Sequence, residues 1–168
     1  MVAVVGEPTD LVDLAARPGT LSCRVTQSAA QTGWTTGAFT NITFGAEDYD
    51  WGNLFAVGTS ATKLMLGQAA LGLWLIGGHF VPAGNAGATL LRARYTFNGT
   101  AVNGATPSFG NSVSSILGLA MTPTPVITTA STDSVELQGL VTAASGTLGT
   151  AVSGDSRSSF WAIFMGVQ

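Results

Sequence analysis

The chain has 168 residues, of which 9% are charged and 46% apolar, with a net charge of −3. Ordinary soluble domains carry roughly 25% charged residues, so this surface is sparing of charge. The six Lys and Arg are scattered, which leaves no basic patch for nucleic acid, and no apolar run approaches the ~18 residues of a membrane-spanning helix.

The length suffices for one domain with its own core. Such an apolar chain does not have the composition of a disordered one, and so little charge points to a surface covered in an assembly. Cys23 is the only cysteine, so no intrachain disulfide is expected. The first residues carry neither the basic segment nor the apolar run of a secretion signal. Together these predict synthesis in a cytoplasm.

Residues 1–20 stand apart, with Glu7, Asp10, Asp13 and Arg17 close together. Thr9 or Asp10 can cap a short helix over residues 11–16, which Arg17-Pro18-Gly19 closes. We read an arm that docks on a partner through Val4, Val5, Leu11, Val12 and Leu14; the alternative is a free tail.

From residue 21 to 168 every segment reads as strand or turn. Residues 21–27 alternate apolar and polar. In residues 38–44, Phe39 falls on the opposite face from Ile42 and Phe44, which suggests a bulge or an edge. Residues 45–53 read as an acidic-aromatic loop, and residues 62–66 as a short strand. Residues 71–81 are apolar on nearly every position. A turn over residues 82–87 leads into a strand over residues 88–97, which Asn98-Gly99 ends with a tight-turn signal. Residues 114–121 predict a strand that Pro123 and Pro125 stop. Residues 126–129 follow. In residues 134–142, Val135 and Leu137 point inward and Leu140 falls out of phase, so Gly139 predicts a bulge. Residues 143–155 are a small-residue loop, and residues 158–166 a closing strand.

Residues 71–81 and 158–166 have no polar face, and such a strand must be covered on both sides. Side by side in one sheet they would give it a core face and a second apolar face, and the second needs a partner subunit. The pattern predicts an all-β sandwich of about ten strands with a short N-terminal arm.

Little here reads as chemistry. His79, the only histidine, sits mid-strand in the most apolar stretch, against a role in a Ser-His-Asp relay. Glu47, Asp48 and Asp50 fail the calcium-loop spacing, because Gly52 takes a ligand position and Thr59 the place of the closing Glu. Residues 146–150 lack the lysine of a phosphate loop. Asn41 and Asn98 match the glycosylation pattern but read as strand or turn residues. We therefore expect no catalytic site, no metal and no cofactor. Trp34, Tyr49, Trp51 and Phe55 are either an interaction patch in the loops or caps on the sandwich.

Several segments together resemble the trimeric jelly rolls of the complement C1q and tumour necrosis factor (C1q/TNF-like) type. Residues 72–76, GLWLI, resemble the family's G-x-Y/W-x-apolar strand, and Asn98-Gly99 the end of its next strand. Asp133-Ser134-Val135-Glu136-Leu137 is similar to the opening of its penultimate strand, with Thr132 where the family has Gly. Residues 158–165, SSFWAIFM, resemble its last strand. Residues 23–27, 39–44 and 47–50 are similar to segments of bacteriophage structural proteins with this fold. The resemblance implies a homotrimer whose threefold axis is faced by Leu73, Leu75, Gly77 and His79 and by Phe160, Ala162 and Phe164. Trp74, Ile76 and Phe80, with Trp161, Ile163 and Met165, would then face the core. It further implies a virion protein, made in the host cytoplasm, that decorates and cements the capsid exterior. Its partners would be itself and the major capsid protein, with neither nucleic acid nor membrane. The alternative is a receptor-binding or fibre-tip module that takes a host surface glycan near Trp51.

Overall fold

The two strands without a polar face become central neighbours in one sheet. The computed structural model describes residues 21–56, 58–59, 61–83, 88–104, 106–110, 118–144 and 146–167. The proposed arm, with Val4, Val5, Leu11, Val12 and Leu14, lies outside them, as does the first half of the strand expected over residues 114–121. In chain order the strands are Ser22–Thr26 (β1), Thr40–Asn41 (β2), Ala46–Trp51 (β3), Lys63–Leu64 (β4), Gly72–Phe80 (β5), Ala88–Phe97 (β6) and Thr100–Ala101 (β7). Then come Ser108–Gly110 (β8), Leu119–Ala120 (β9), Thr124–Thr128 (β10), Val135–Ala143 (β11), Val152–Ser153 (β12), Ser156–Arg157 (β13) and Ser159–Gly166 (β14). The one helix among the described residues is a single turn, Leu66–Ala69.

The chain is all-β, with antiparallel sheets. The first sheet has the order β10-β5-β14-β1-β3, with β9 also on β5; the second has the order β2-β11-β6-β7, with β4 on β11 and β8 on β6. Strands β12 and β13 form a small separate hairpin. The long segments β5 and β6, which read as one hairpin, do not pair. Each joins a different sheet, and the chain crosses between them through Pro82, bridged to Thr150, and Ala83, whose N–H donates to the Gly149 carbonyl. Sequence adjacency favours a hairpin, but each strand has a long antiparallel partner elsewhere: β14 for β5 and β11 for β6.

The two sheets face each other across an aromatic core. Tyr95 of β6 stacks on Phe160 of β14, ring centroids 5.8 Å apart, and Phe160 in turn lies against Phe44. Trp74 of β5 packs on Phe164 of β14 at 5.1 Å. Trp34 and Phe80 stack at 5.9 Å. All but Trp34 of these rings are almost wholly buried. Val135 and Leu137 point inward as expected. Gly139, however, is not a bulge. The β11–β6 register runs on through it, and shifts only between Thr142 and Ala143. Gly139 faces the core, where a Cβ would stand 2.6 Å from the Phe80 ring and 2.9 Å from Trp34. The out-of-phase Leu140 lies on the opposite face and is nonetheless buried.

The stretch expected to be an acidic-aromatic loop is largely strand β3, paired with β1. Its carboxylates are used locally: both Asp50 oxygens accept from backbone N–H groups, of Leu54 and Phe55, at 2.9 Å. Beside Asp50, Cys23 is wholly buried, and desolvation, reinforced by the Asp50 charge, pushes its thiol far up. A thiol so held is not a nucleophile at neutral pH.

The turn after β6 is tied to the turn before β11. Asn98 and Gly99 take left-handed φ angles of 51° and 79°, as the Asn-Gly signal predicts. The Asn98 side chain donates to Asp133 Oδ1 at 2.8 Å and accepts from the Ser134 N–H at 2.9 Å. The other Asp133 oxygen accepts from the N–H groups of Thr129 and Ala130 at 2.7 and 2.9 Å. The Asn98 amide first, then these backbone donors, hold the Asp133 carboxyl below the usual carboxylate range. A depressed carboxylate stabilises the fold while ionised, and that stability is lost as pH falls through its folded value. Thermal unfolding followed from about pH 7 to about pH 2 should therefore show a midpoint that drops through the acid range. Asp133→Asn should weaken that dependence, and Asp133→Ala should cost about 1–3 kcal/mol at neutral pH.

Candidate functional site: the outer face of the first sheet

Antiparallel register decides which side chains share a face, since directly opposed residues point the same way. On the core side, Trp74 lies opposite Phe164 and Val126, and Ile76 opposite Ala162. The outer face therefore carries the alternate set. One row runs Pro125, Leu75, Ile163, Ser22, Trp51; the next runs Gly77, Trp161, Arg24, Tyr49; a third runs His79, Ser159, Thr26. Below them Leu73 lies opposite Ile127.

Leu73, Leu75, Gly77 and His79 thus sit on the outer face, as expected. The last strand is reversed from expectation. Phe160, Ala162 and Phe164 are wholly buried in the core, while Trp161 and Ile163 are half-buried on the outer face and Met165 is 43% exposed. A strand apolar on both sides has a clear period of two but no polar residue to say which side is out. The register supplies the answer, because Ile163 pairs with the outward Leu75.

The loop patch also divides. Trp34 and Phe55 are core residues, 8% and 3% exposed. Tyr49 and Trp51 are alternate residues of β3, their rings 5.5 Å apart, and Trp51 is 64% exposed. A bulge in β3 opposite Arg24 and Val25 turns Asp48 toward the same face. There it meets Arg24 at 3.1 Å, both side chains well exposed, so the pair adds little stability, about 0–1 kcal/mol.

The upper corner of the face is a groove of about 290 Å³ lined by Arg24, Thr26, Asp48, His79, Asp155, Arg157 and Ser159. His79 and Ser159 are cross-strand neighbours there. Among the described residues, no side-chain hydrogen bond joins that hydroxyl to the imidazole or the imidazole to a carboxylate, and no group of three His, Cys, Asp or Glu is placed to hold a metal. The lower part of the face is apolar: Leu73, Leu75, Ile163 and Met165, with Ile127 at 47% exposure. The residues that sequence reading missed here are Arg24, Ile127, Trp161, Ile163, Asp155 and Arg157. Arg24 did carry a signal, as the single charge in an alternating strand.

The second sheet's outer face is different in kind. Glu136 accepts from Asn41 at 2.8 Å, Thr96 at 3.1 Å and Thr62 at 3.3 Å. Gln138 accepts from Arg94 at 2.7 Å and donates to Asn41 at 2.6 Å. The Arg94 guanidinium also lies 3.8 Å over the Phe39 ring. That face is polar around Glu136, Gln138, Asn41 and Arg94, which satisfy one another, with Leu140 as a buried apolar residue on the same side.

Trp161 lies flat over Gly77, so that a Cβ at position 77 would fall inside the indole. Gly77→Ala should therefore cost about 1–3 kcal/mol in denaturant unfolding, and much less in a Trp161→Ala background, where the obstructing ring is gone. A scan against protein-family models finds no match to this chain, and no curated protein matches its sequence.

Proposed function

We propose that this chain is a structural protein of a bacteriophage virion, a homotrimer of jelly-roll subunits that decorates and cements the outer surface of the capsid. The observation that carries the self-association is the contrast between the two outer faces. One carries a polar network, Glu136, Gln138, Asn41 and Arg94, that is satisfied within the chain. The other presents Leu73, Leu75, Trp161, Ile163 and Met165 on two neighbouring inner strands of the sheet, the first four half-buried and Met165 exposed in the single chain. Large exposed apolar patches mark interaction sites. The seam of the trimer is then this set, with Gly77 beneath Trp161 and His79 at its upper end.

The strand order supports the jelly-roll reading. Strands close in sequence, β5 and β6 or β10 and β11, lie in opposite sheets, as wrapping a long antiparallel ribbon around a core requires. The capsid role rests on the resemblance of residues 23–27, 39–44 and 47–50 to phage structural proteins, with the arm over residues 1–20 as the grip on the major capsid protein. The reading assigns the chain no catalytic step and no cofactor.

Light scattering at about 10 µM, a concentration where a specific oligomer persists, should give the mass of a trimer; a stable monomer overturns the seam. Leu75→Asp should yield soluble monomers with unchanged circular dichroism, because it sets three charges into a dry interface without touching the core of the subunit. Deleting residues 1–20 should leave trimers that no longer bind capsids, and persistent binding would show that the arm is not the grip. The exposed Tyr49–Trp51 pair favours a second reading, a receptor-binding or fibre-tip module for a host surface glycan. Under it, Trp51→Ala abolishes attachment to cells and leaves capsid binding intact.

A further inference from the structure

Among the described residues, the polar corner of the first sheet's outer face holds two charges without an ionic partner. Among the described residues the one ion pair is Arg24 with Asp48. Asp155 and Arg157, on the turn and second strand of the β12–β13 hairpin, line the same groove as that pair and His79. Asp155 is exposed, and among the described residues the Arg157 guanidinium donates only to the Gly154 carbonyl of its own turn. In a chain so sparing of charge, a cation and an anion standing two residues apart at the edge of an apolar face call for a partner.

We propose that Arg157 of one copy pairs with Asp155 of the next around the trimer, so that three identical pairs close a ring at the upper end of the seam. The proposal rests on the seam described above and names what sets its register. An apolar patch alone tolerates sliding and rotation, whereas charges at a rim fix orientation and reject wrong alignments. A corner with one free cation and one free anion suits a rotational assembly, because each copy gives its cation to one neighbour and its anion to the other, and no charge is left over when the ring closes. Arg24 and Asp48 complete each other within a chain and stay outside this exchange. A second copy is the occupant that matches, since the groove offers equal and opposite charge and so attracts neither a polyanion nor a polycation.

The test is sedimentation equilibrium of the full chain, with two charge reversals and their combination. Arg157→Asp and Asp155→Arg should each raise the concentration for half-dissociation of the trimer about tenfold or more, since three weak pairs become three repulsions. The double variant with the two charges exchanged should return to within about threefold of the wild type. The wild-type trimer should also loosen between about 0.05 M and about 0.5 M NaCl, where screening removes rim pairs; this arm needs no variant and holds if a substitution disturbs the hairpin. Single reversals that leave dissociation unchanged, a double variant no better than the singles, or a salt-independent trimer would each overturn the pairing while leaving the seam in place. A wild-type monomer would instead remove the seam itself.

Discussion

The register between β5 and β14 is the constraint on which the rest depends. Strand β14 lies between β5 and β1, and its inward residues Phe160, Ala162 and Phe164 are part of the core that both sheets share. A slip of one residue would exchange that set with Trp161, Ile163 and Met165. Since both sets are apolar, the hydrophobic effect alone scarcely distinguishes the two registers. Shape does. Trp161 lies opposite Gly77 and Phe160 opposite Gly78, so each aromatic ring has a glycine across from it, one pair on each face of the sheet. At Gly78 an added Cβ would stand 2.9 Å from the Ser159 carbonyl and 3.2 Å from Leu137 of the other sheet. The adjacent glycines are thus two notches that accept two adjacent rings in only one alignment.

The same lock explains what could be read from the residues and what could not. Alternation along the sequence alone separates Leu73 and Leu75 from Trp74, Ile76 and Phe80, and that division holds. The polarity of β14 was not available in the same way, because no polar side chain marks its outer side and the glycine notches lie in another strand about 80 residues away in the chain. The acidic run in β3 misleads for a related reason. Its carboxylates suggest a solvated loop, yet β1 offers a free edge, and Asp50 and Asp48 find partners on either side of the strand. Trp34 illustrates the limit of local reading. Its neighbours are turn residues, but Gly139, distant in sequence, leaves the space into which it stacks on Phe80.

Edges and faces are treated differently in this molecule. On the first sheet, one edge strand, β10, contains Pro125, which has no N–H to offer a further strand. The other, β3, is broken by the bulge at Asp48 and carries Glu47 and Asp50 besides. Both features discourage the open-ended edge pairing that leads to aggregation. Among the described residues, the outer face has no such guard across its centre. The little charge this sheet has lies at its β3 edge and in the groove at its upper corner, and Leu73, Leu75 and Ile163 lie half-buried between them.

That distribution bears on closure. A bare apolar face associates without preferred geometry, and self-association through two different surfaces can run on into a filament unless its rotation closes. Here the apolar region is bounded above by a groove holding both signs of charge, and on one side by Tyr49 and Trp51 with polar Arg24 and Asp48 beside them. A neighbour that slides upward buries charge without its counterpart, at several kcal/mol per unmatched ion. A neighbour that slides toward β3 gains aromatic contact but must also desolvate the Arg24–Asp48 pair. The apolar centre supplies the attraction, and the polar boundary limits where it can be satisfied.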